Sequence, residues 1–234
     1  MANVKADGAE AGYRVGGSLL NPGRPDFDFI EKLASLLKRL EAKYRFAVVC
    51  GGGVPAREQA SCIRKLGGSE FLADETAILC TRMNALLLRA SLGDDAYPSL
   101  AESFREAICA MNSGKIVLMG GTIPGITTDT DAALLAEGIG AARIINLSNV
   151  DGVYTADPKN NKNAKKMSRM SFSQLVKLAS EHDKREAGTR FIFDLIACKL
   201  IARSGMETHF VYGKNLDEVQ RAIEGKTHSG TVVK

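Results

Sequence analysis

The most informative absences in this sequence concern aromatic residues, histidine and long apolar runs. Its 234 residues include no tryptophan and three histidines, and aromatic residues make up only 6%. No apolar run approaches the roughly 20 residues of a transmembrane helix, and residues 1–11 lack the apolar core of a secretory signal. The net charge of +4 is far from the dense Lys and Arg of a dedicated nucleic-acid binder. We therefore expect a cytoplasmic protein that binds neither membranes nor nucleic acids.

Cysteine is scarce and scattered. The count is odd, there is no CxxC pair, and most of the cysteines stand inside apolar runs: Cys50, Cys62, Cys80, Cys109 and Cys198. This usage predicts reduced, buried thiols, as in cytoplasmic proteins, and it disfavours a disulfide framework or a catalytic cysteine.

Several common catalytic and nucleotide-binding motifs are missing. The chain has no GxxxxGK[ST] P-loop, no GxGxxG after a predicted strand, no HExxH and no GxSxG. His182, His209 and His228 are far apart in sequence, and no His and Cys residues have the spacing of metal ligands. His209 lies in a predicted strand, where packing is a more common role than catalysis. We therefore predict no metal ion held by the protein's own side chains.

Apolar strands alternate with helical patterns through most of the chain. Strands are predicted at 12–15, 46–50, 115–119, 143–147 and 208–213, with 230–234 as a final edge strand. Helices are predicted at 26–42, 54–66, 74–92, 101–111, from 128, and at 171–180, 191–203 and 215–224. This alternation predicts an α/β fold with a mainly parallel, covered sheet.

The chain shows no clear linker between two domains. We expect a short lead-in over 1–11 and a single domain over 12–234. The lysine-rich stretch 159–169 contains no acidic residue. We expect it to be a solvated, flexible loop, and the alternative is a lid that adds positive potential over a nucleotide.

Three glycine clusters stand where strands are predicted to end, at 16–17, 51–53 and 120–121. In open α/β sheets, ligands bind outside the carboxyl ends of the strands. Glycine lets backbone N–H groups approach a phosphate closely, and the N-terminus of the following helix adds partial positive charge. Any one cluster has a simpler interpretation as a tight turn, but the three together favour a phosphate-rich ligand.

The third cluster opens a loop, GGTIPGITTD at 120–129, that is longer than a turn requires. A loop shaped around a ligand explains the extra residues. Thr128 and Asp131 also have the spacing of a helix N-terminal capping box. Capping and ligand binding are compatible, so both interpretations stand.

Four motifs occur in a specific order: GGS at 16–18, GGG at 51–53 followed by Arg57, GGTIPGITTD at 120–129, and SNVDGVYTADP at 148–158. Together they resemble the amino acid kinase superfamily and, within it, the archaeal-type UMP kinases. The resemblance runs from about residue 12 to the end of the chain. It implies a three-layer α/β/α sandwich with a mainly parallel sheet, in which the N-terminal half binds the acceptor UMP and the C-terminal half binds ATP.

The resemblance also implies an activity and a set of site residues. The chain would transfer the γ-phosphoryl group of ATP, accompanied by Mg²⁺, to UMP, and it would assemble as a homohexamer. Helix 74–92 is the candidate subunit contact, because it is apolar nearly all round. UMP would be bound by Gly52, Asp74, Thr122, Ile123, Pro124, Gly125, Ile126, Thr127 and Thr128. ATP would be bound by Gly17, Ser18, Gly53, Arg57, Ser148, Tyr154 and Asp157. The catalytic residues would be Arg14, Arg57 and Asp151.

Some of these residues have structural alternatives. Arg57 has an alternative interpretation as a solvated helix arginine, and Asp74 as the N-cap of the helix predicted to begin there. The alternative for the segment DGVYTADP at 151–158 is a polar turn.

Three positions depart from the family pattern, and one of them, Leu195 where relatives often carry proline, indicates a local packing change. Many members carry lysine at the position of Arg14, and arginine keeps the charge but changes its geometry. Related enzymes tend to carry a small or apolar residue at Asp131, where a carboxylate near the acceptor phosphate is unfavourable unless it points into the helix cap. The alternatives to a UMP kinase are therefore another kinase of the superfamily, or a non-catalytic nucleotide- or oxyanion-binding protein on the same fold.

Overall fold

The computed structural model describes residues 9–156, 161–183 and 193–234. Its strands are β1 (Ala9–Val15), β2 (Tyr44–Cys50), β3 (Val117–Met119), β4 (Arg143–Ser148), β5 (Val153–Tyr154), β6 (Lys166–Met167), β7 (Arg169–Met170), β8 (Thr208–Tyr212) and β9 (Thr231–Val233). Its helices are α1 (Gly17–Leu20), α2 (Phe27–Leu40), α3 (Gly53–Lys65), α4 (Glu70–Leu92), α5 (Phe104–Met111), α6 (Thr128–Gly138), α7 (Phe172–Asp183), α8 (Leu195–Ser204) and α9 (Leu216–Ile223). The first strand begins at Ala9, three residues before the predicted start of the domain.

The central sheet has the strand order β3-β2-β1-β4-β8-β9-β7. Neighbouring strands from β3 to β8 are parallel, and Val15 at the end of β1 lies beside Cys50 of β2 and Leu147 of β4. Strand β9 is antiparallel to β8 and parallel to β7. Because parallel strands end on the same edge, the loops after β1, β2, β3 and β4 lie together there. The prediction of an α/β fold with a mainly parallel sheet is confirmed.

Helices cover both faces of the sheet, because alternate side chains of each strand point to opposite faces. Val48 of β2 packs in a core with Leu33 of α2 and Leu88 of α4. Its neighbour Val49 packs on the other face, in a core that includes Leu135 of α6. A third core, between α6, α7 and α8, covers the β4 and β8 end of that second face. The result is the three-layer α/β/α sandwich that the sequence predicted.

The N-caps of two helices differ from the sequence-based expectation. Helix α4 begins at Glu70, because the Ser69 hydroxyl accepts a hydrogen bond from the Leu72 N–H and caps the helix there. Asp74 therefore lies one turn inside the helix, so the N-cap interpretation of Asp74 is wrong. In α6 the cap is Thr127, whose hydroxyl accepts from the backbone N–H groups of the next turn, so the capping box of Thr128 and Asp131 is also wrong.

The C-terminal strands differ from expectation as well. β9 was expected at an edge, but it lies between β8 and β7. The described part of the lysine-rich stretch is also more ordered than a flexible loop. Lys166 and Met167 form β6, which pairs with β5 in an antiparallel hairpin, and the Thr155 N–H donates to the Lys165 carbonyl at 3.0 Å.

The cysteine prediction is confirmed for Cys50, Cys80 and Cys198, which are buried with free thiols. It is wrong for Cys62 and Cys109, which are exposed. Burial raises the pKa of Cys50 to about 12, so this thiol stays protonated at neutral pH. Within the described ranges, no helix is long and apolar enough to cross a membrane.

Candidate active site

The glycine loops after β1 and β2 contact each other backbone to backbone. A Cβ atom on Gly17 would lie 2.0 Å from the backbone nitrogen of Gly53, and a Cβ on Gly53 would lie 2.4 Å from the Asn21 carbonyl oxygen. Gly53 also has a φ of +72°, which favours glycine. No side chain fits between these loops, so only glycine lets the N-termini of α1 and α3 lie this close together. The arrangement points backbone N–H groups of neighbouring loops toward one edge of the sheet.

Helix α4 holds two of the glycine loops through two polar side chains on one face. The buried Asn84 amide donates to the Gly51 carbonyl at 2.8 Å. The Thr81 hydroxyl accepts from the Gly121 N–H at 2.7 Å and donates to the Ile78 carbonyl of its own helix at 2.6 Å. Both side chains act on backbone groups, so they fix the loops without filling the space above them.

Asp74 fixes the long loop after β3 from the same helix. Its Oδ2 atom accepts from the Gly125 N–H at 2.8 Å, across 51 residues of sequence. The contact brings together two residues that the resemblance assigned to the acceptor nucleotide. Ile123 in the same loop is 58% exposed, which is high for a large apolar side chain.

The far end of this loop is held by Asp194, at the N-terminus of α8. The Asp194 carboxylate accepts hydrogen bonds from the Thr127 and Thr130 hydroxyls, and its Oδ1 caps α8 by accepting from the Ala197 N–H at 3.0 Å. One carboxylate thus joins the starts of α6 and α8. Asp194 is not among the residues predicted from the sequence, although its position before an apolar helical run is a recognisable N-cap signal.

Arg14 lies at the centre of the edge, where β1 meets β4. Its Nε lies 2.5 Å from Oδ1 of Asp129, and its Nη1 donates to Oδ1 of Asn146 at 3.0 Å. The guanidinium carbon lies 5.7 Å from the centroid of the Phe193 ring, within the range of a cation–π contact. These contacts set the orientation of the guanidinium on several sides and leave its charge facing a cavity.

That cavity has a volume of about 240 Å³ and opens at the carboxyl ends of β1 and β4. It is lined by Arg14, Gly16, Gly17, Ser18, Leu19, Thr127, Thr128, Asp129, Asn146, Ser148, Asn149, Val150 and Phe193. Backbone amides, hydroxyls and one arginine dominate this wall, which suits an anionic group more than an apolar one. Among the described residues, no group of His, Cys, Asp and Glu side chains is placed to hold a metal ion.

Asp131 lies behind the long loop and is 1% exposed. Its Oδ1 accepts from the Thr122 hydroxyl at 2.6 Å, while Oδ2 is buried without a hydrogen bond to another described residue. Burial raises the pKa of Asp131 to about 6, although the hydrogen bonds from Thr122 lower it, and the nearby Asp129 and Asp194 raise it further. The carboxylate therefore faces the loop and does not cap the helix.

The loop after β4 carries the remaining predicted residues. The Tyr154 hydroxyl donates to Asp151 at 2.8 Å, and Lys166 pairs with the same carboxylate at 2.9 Å. Burial alone would raise the pKa of Asp151, but the hydrogen bonds from Lys166 and Tyr154 outweigh it and lower the pKa. Ser148 exchanges hydrogen bonds with the backbone of Val150, which shapes the turn.

The structure gathers some of the predicted residues into one place and leaves others apart. The cavity wall includes six of them: Arg14, Gly17, Ser18, Thr127, Thr128 and Ser148. Gly52 and Gly53 adjoin this wall through their contact with Gly17. Arg57, Asp74, residues 122–126 of the long loop, Asp151 and Tyr154 lie outside it, and Asp157 falls outside the described residues. Arg57 is exposed on the first turns of α3 and makes no hydrogen bond or ion pair with another described residue.

The fold and this edge have counterparts in known proteins. Residues 14–212 match the amino acid kinase family. The chain belongs to that family. The match starts at Arg14 in the cavity wall and ends in β8, so it spans the glycine loops and the parallel part of the sheet.

Relatives within the family are similar over nearly their whole length. A uridylate kinase of Pyrococcus abyssi is 41% identical over 94% of this chain and 97% of its own length. One from Thermococcus kodakarensis is 42% identical over the same shares of both chains. The crystal structure of uridylate kinase from Archaeoglobus fulgidus superposes with a TM-score of 0.85 at 37% identity, covering 97% of this chain and 100% of that one. A UMP kinase from Bacillus anthracis, at 21% identity and a TM-score of 0.80, shares the fold.

Proposed function

We propose that this chain is a uridylate kinase, which transfers the γ-phosphoryl group of ATP to UMP and releases UDP and ADP for pyrimidine nucleotide synthesis. The observation that carries the proposal is the contact between the two glycine loops beside Arg14, at the edge where the 120–129 loop is fixed by Asp74. The uridylate kinases at 41–42% identity over 94% of the chain support it. They favour UMP over the acceptors of other kinases of the superfamily.

The acceptor nucleotide binds along the loop after β3. Thr122, Ile123, Pro124, Gly125, Ile126, Thr127 and Thr128 surround the base and ribose, and Gly52 contacts the phosphate. Asp74 serves this site in two ways, because its Oδ2 fixes Gly125 while its other oxygen remains for the nucleoside. An oxygen held in place in this way binds a hydroxyl with little loss of side-chain entropy.

ATP binds between the glycine loops after β1 and β2 and the loop after β4, and it enters as the magnesium complex. Gly17, Ser18, Gly53, Arg57, Ser148, Tyr154 and Asp157 form this subsite. Mg²⁺ is a hard cation that usually keeps phosphate and water oxygens as ligands, and it is part of the substrate here. The Arg57 guanidinium, which pairs with no other described residue, is free to bind phosphate oxygens as a planar fork.

Catalysis in this site rests on positioning and on neutralising charge. The UMP phosphate is already an ionised nucleophile, so the reaction needs no strong general base. Backbone N–H groups of the glycine loops and the Arg14 guanidinium stabilise the charge on the transferred phosphoryl group. Because Asp129 and Asn146 orient Arg14, that charge is in place before the substrates bind. Asp151 orients the cationic side chain of Lys166 on the ATP side.

The proposal includes a cytoplasmic homohexamer. The outer face of α4 exposes several large apolar side chains, including Phe71 at 60%, Leu79 at 59%, Met83 at 63% and Leu86 at 51%. Contiguous apolar patches of this kind are typical of subunit contacts. Light scattering on the eluting protein measures the assembly, and a mass near six times 25.1 kDa is expected.

The activity is tested by ADP release from MgATP with UMP, CMP, dUMP and small carboxylates offered separately. We expect ADP release with UMP. Its kcat/KM should fall about tenfold or more in Asp74→Asn, which weakens the acceptor loop, and about tenfold or more in Arg57→Ala. Glu75→Gln is the matched control for Asp74→Asn, because it removes the neighbouring charge on the exposed side of α4. Release with a different acceptor alone would reject UMP, and nucleotide binding without release would indicate a non-catalytic member of the family.

A further inference from the structure

The described part of the chain contains one buried carboxylate that the phosphoryl transfer does not use. Asp131 is 1% exposed on the first turn of α6, and it is not aimed at the helix backbone. Its Oδ1 atom accepts the hydroxyl proton of Thr122 at 2.6 Å, and its Oδ2 atom has no hydrogen-bond partner among the described residues. Neither oxygen is needed to start the helix, because Thr127 provides the cap.

This contact decides which hydrogen bonds Thr122 can offer to a ligand. A threonine hydroxyl has one proton to donate and two lone pairs that accept. With its proton committed to Asp131, the half-buried Thr122 hydroxyl presents only lone pairs to the space above the loop. A ligand group bound there must therefore be a hydrogen-bond donor.

We infer that Asp131 is a specificity-determining positioning residue, which makes Thr122 select an acceptor nucleotide that offers a donor group. The inference rests on the proposed function, because Thr122 belongs to the proposed UMP site. UMP offers three donors of this kind, the N3–H of the uracil ring and the 2′- and 3′-hydroxyls of the ribose, and the first two distinguish it from CMP and dUMP. CMP has a bare ring nitrogen in place of the N3–H, and dUMP lacks the 2′-hydroxyl.

The burial of Asp131 separates this role from a structural one. A buried carboxylate with an unpartnered oxygen lowers the stability of the fold. The raised pKa of Asp131 agrees with that penalty. Replacing a side chain that stabilises the fold lowers the unfolding temperature, whereas replacing Asp131 is expected to raise it.

The test compares Asp131→Val, Thr122→Val and the double variant, because valine removes the polar atoms while nearly keeping the volume. Steady-state kinetics with UMP, CMP and dUMP give kcat/KM ratios, and thermal unfolding is measured on the same samples. In Asp131→Val the hydroxyl of Thr122 is free to rotate. We expect one kcat/KM ratio of this variant, that of UMP to CMP or that of UMP to dUMP, to fall about tenfold. A fall for CMP identifies the ring N3–H, and a fall for dUMP identifies the 2′-hydroxyl.

The other arms keep the inference falsifiable. Thr122→Val should lose the same preference, and adding Asp131→Val to it should change the preference no further, because the two residues act through one hydrogen bond. The inference is overturned if both preferences survive in Asp131→Val. It is also overturned if that variant unfolds at a lower temperature and loses kcat/KM equally for all three nucleotides. A wild-type chain that turns over no UMP overturns the proposed function first, and the inference with it.

Discussion

The two halves of the binding edge are held in different ways. On the β1–β2–β3 side, the loops contact each other through glycine backbone and are fixed by the buried side chains Thr81 and Asn84 of α4. On the β4 side, the loop is tied to the β5–β6 hairpin by the pair of Lys166 and Asp151, whose side chains are 31% and 47% exposed.

This difference has an energetic meaning. A buried backbone contact has no alternative geometry, whereas an exposed ion pair contributes about 0–1 kcal/mol and exchanges readily with water. The glycine loops and the proposed acceptor loop are therefore preorganised, and the β4 side of the proposed ATP subsite adapts more easily. Substitutions on the β1–β2–β3 side should therefore reduce activity or stability much more than substitutions on the β4 side.

The largest effect is expected from Gly17→Ala. The added Cβ would overlap the backbone nitrogen of Gly53, so the two glycine loops must separate by about an ångström or more. Misplacement on this scale costs about 100-fold in rate, and kcat/KM for UMP phosphorylation measures it. Gly138→Ala is the control, because its Cβ would meet only the end of the Ile108 side chain at 3.0 Å. Near wild-type activity in Gly17→Ala would refute the preorganised contact.

A smaller effect, on stability, is expected when the hydrogen bond between Thr81 and the loop after β3 is removed. Thr81→Val leaves the Gly121 N–H without its acceptor, which costs about 1–3 kcal/mol for a buried donor. Thr76→Val is matched to it, because among the described residues the Thr76 hydroxyl bonds only to the Leu72 carbonyl of the same helix. Chemical denaturation should show the loss in Thr81→Val and little change in Thr76→Val. Equal losses in both variants would mean that Thr81 serves only its helix.

The C-terminal half also contains a partly buried polar network. His228 Nδ1 accepts from the Gly230 N–H at 3.1 Å, so its Nε2 carries the proton and donates to Nδ1 of His209 at 2.7 Å. His209 then donates through Nε2 to Glu207 at 2.8 Å. Both imidazoles are neutral in this arrangement. Burial, followed by the neighbouring His209, lowers the pKa of His228 to about 4, and burial lowers that of His209 despite Glu207.

Acid should therefore weaken this network before it affects the glycine loops. Because the folded-state pKa values lie below the unfolded value of about 6.5, the unfolded chain binds more protons between pH 6.5 and 4. The stabilisation is complete above pH 6.5 and is lost as the pH falls toward 4. We expect the free energy of unfolding to fall by about 2 kcal/mol over this range, after allowance for the partial exposure of His228.

His228→Gln tests this expectation. Its difference from wild type in free energy of unfolding should be large at pH 7.5 and should shrink at pH 4.5. Asp131, whose pKa is raised, changes the stability with the opposite sign over the same pH range. Subtracting the variant from wild type removes this contribution, because both proteins contain Asp131. A difference that does not depend on pH would contradict the neutral pair.

The smallest effect is expected from Lys166→Met, on the adaptable side. Removing an exposed ion pair should change the stability by less than about 1 kcal/mol and the KM for ATP by less than about fivefold. Lys165→Met, one residue away, removes a lysine that makes no ion pair with a described residue. If Lys166→Met abolished activity while Lys165→Met did not, the two sides of the edge would be equally preorganised.

The sequence predicted the parts of this molecule that depend on local pattern. The apolar runs gave the strands, and glycine clusters at their ends gave the loops that meet at the binding edge. Ser69 after two glycines was also a local signal for the start of α4, although the prediction placed that start at Asp74.

The supports of the site depend on which elements pack together, which local pattern does not reveal. Asp194 reaches Thr130 across 64 residues, and Asn84 reaches Gly51 across 33. The contact between Asp131 and Thr122, nine residues earlier, was also not predicted, because the spacing of Thr128 and Asp131 already suggested a helix cap.

Phosphorus-31 NMR of the purified chain with MgATP and UMP tests the central claim most directly, because it observes the transferred phosphoryl group itself. The account predicts that UDP and ADP signals grow in equal amounts, without inorganic phosphate, and that neither grows when UMP is omitted. Inorganic phosphate in place of UDP, or no change while both nucleotides bind, would contradict phosphoryl transfer to UMP at this edge.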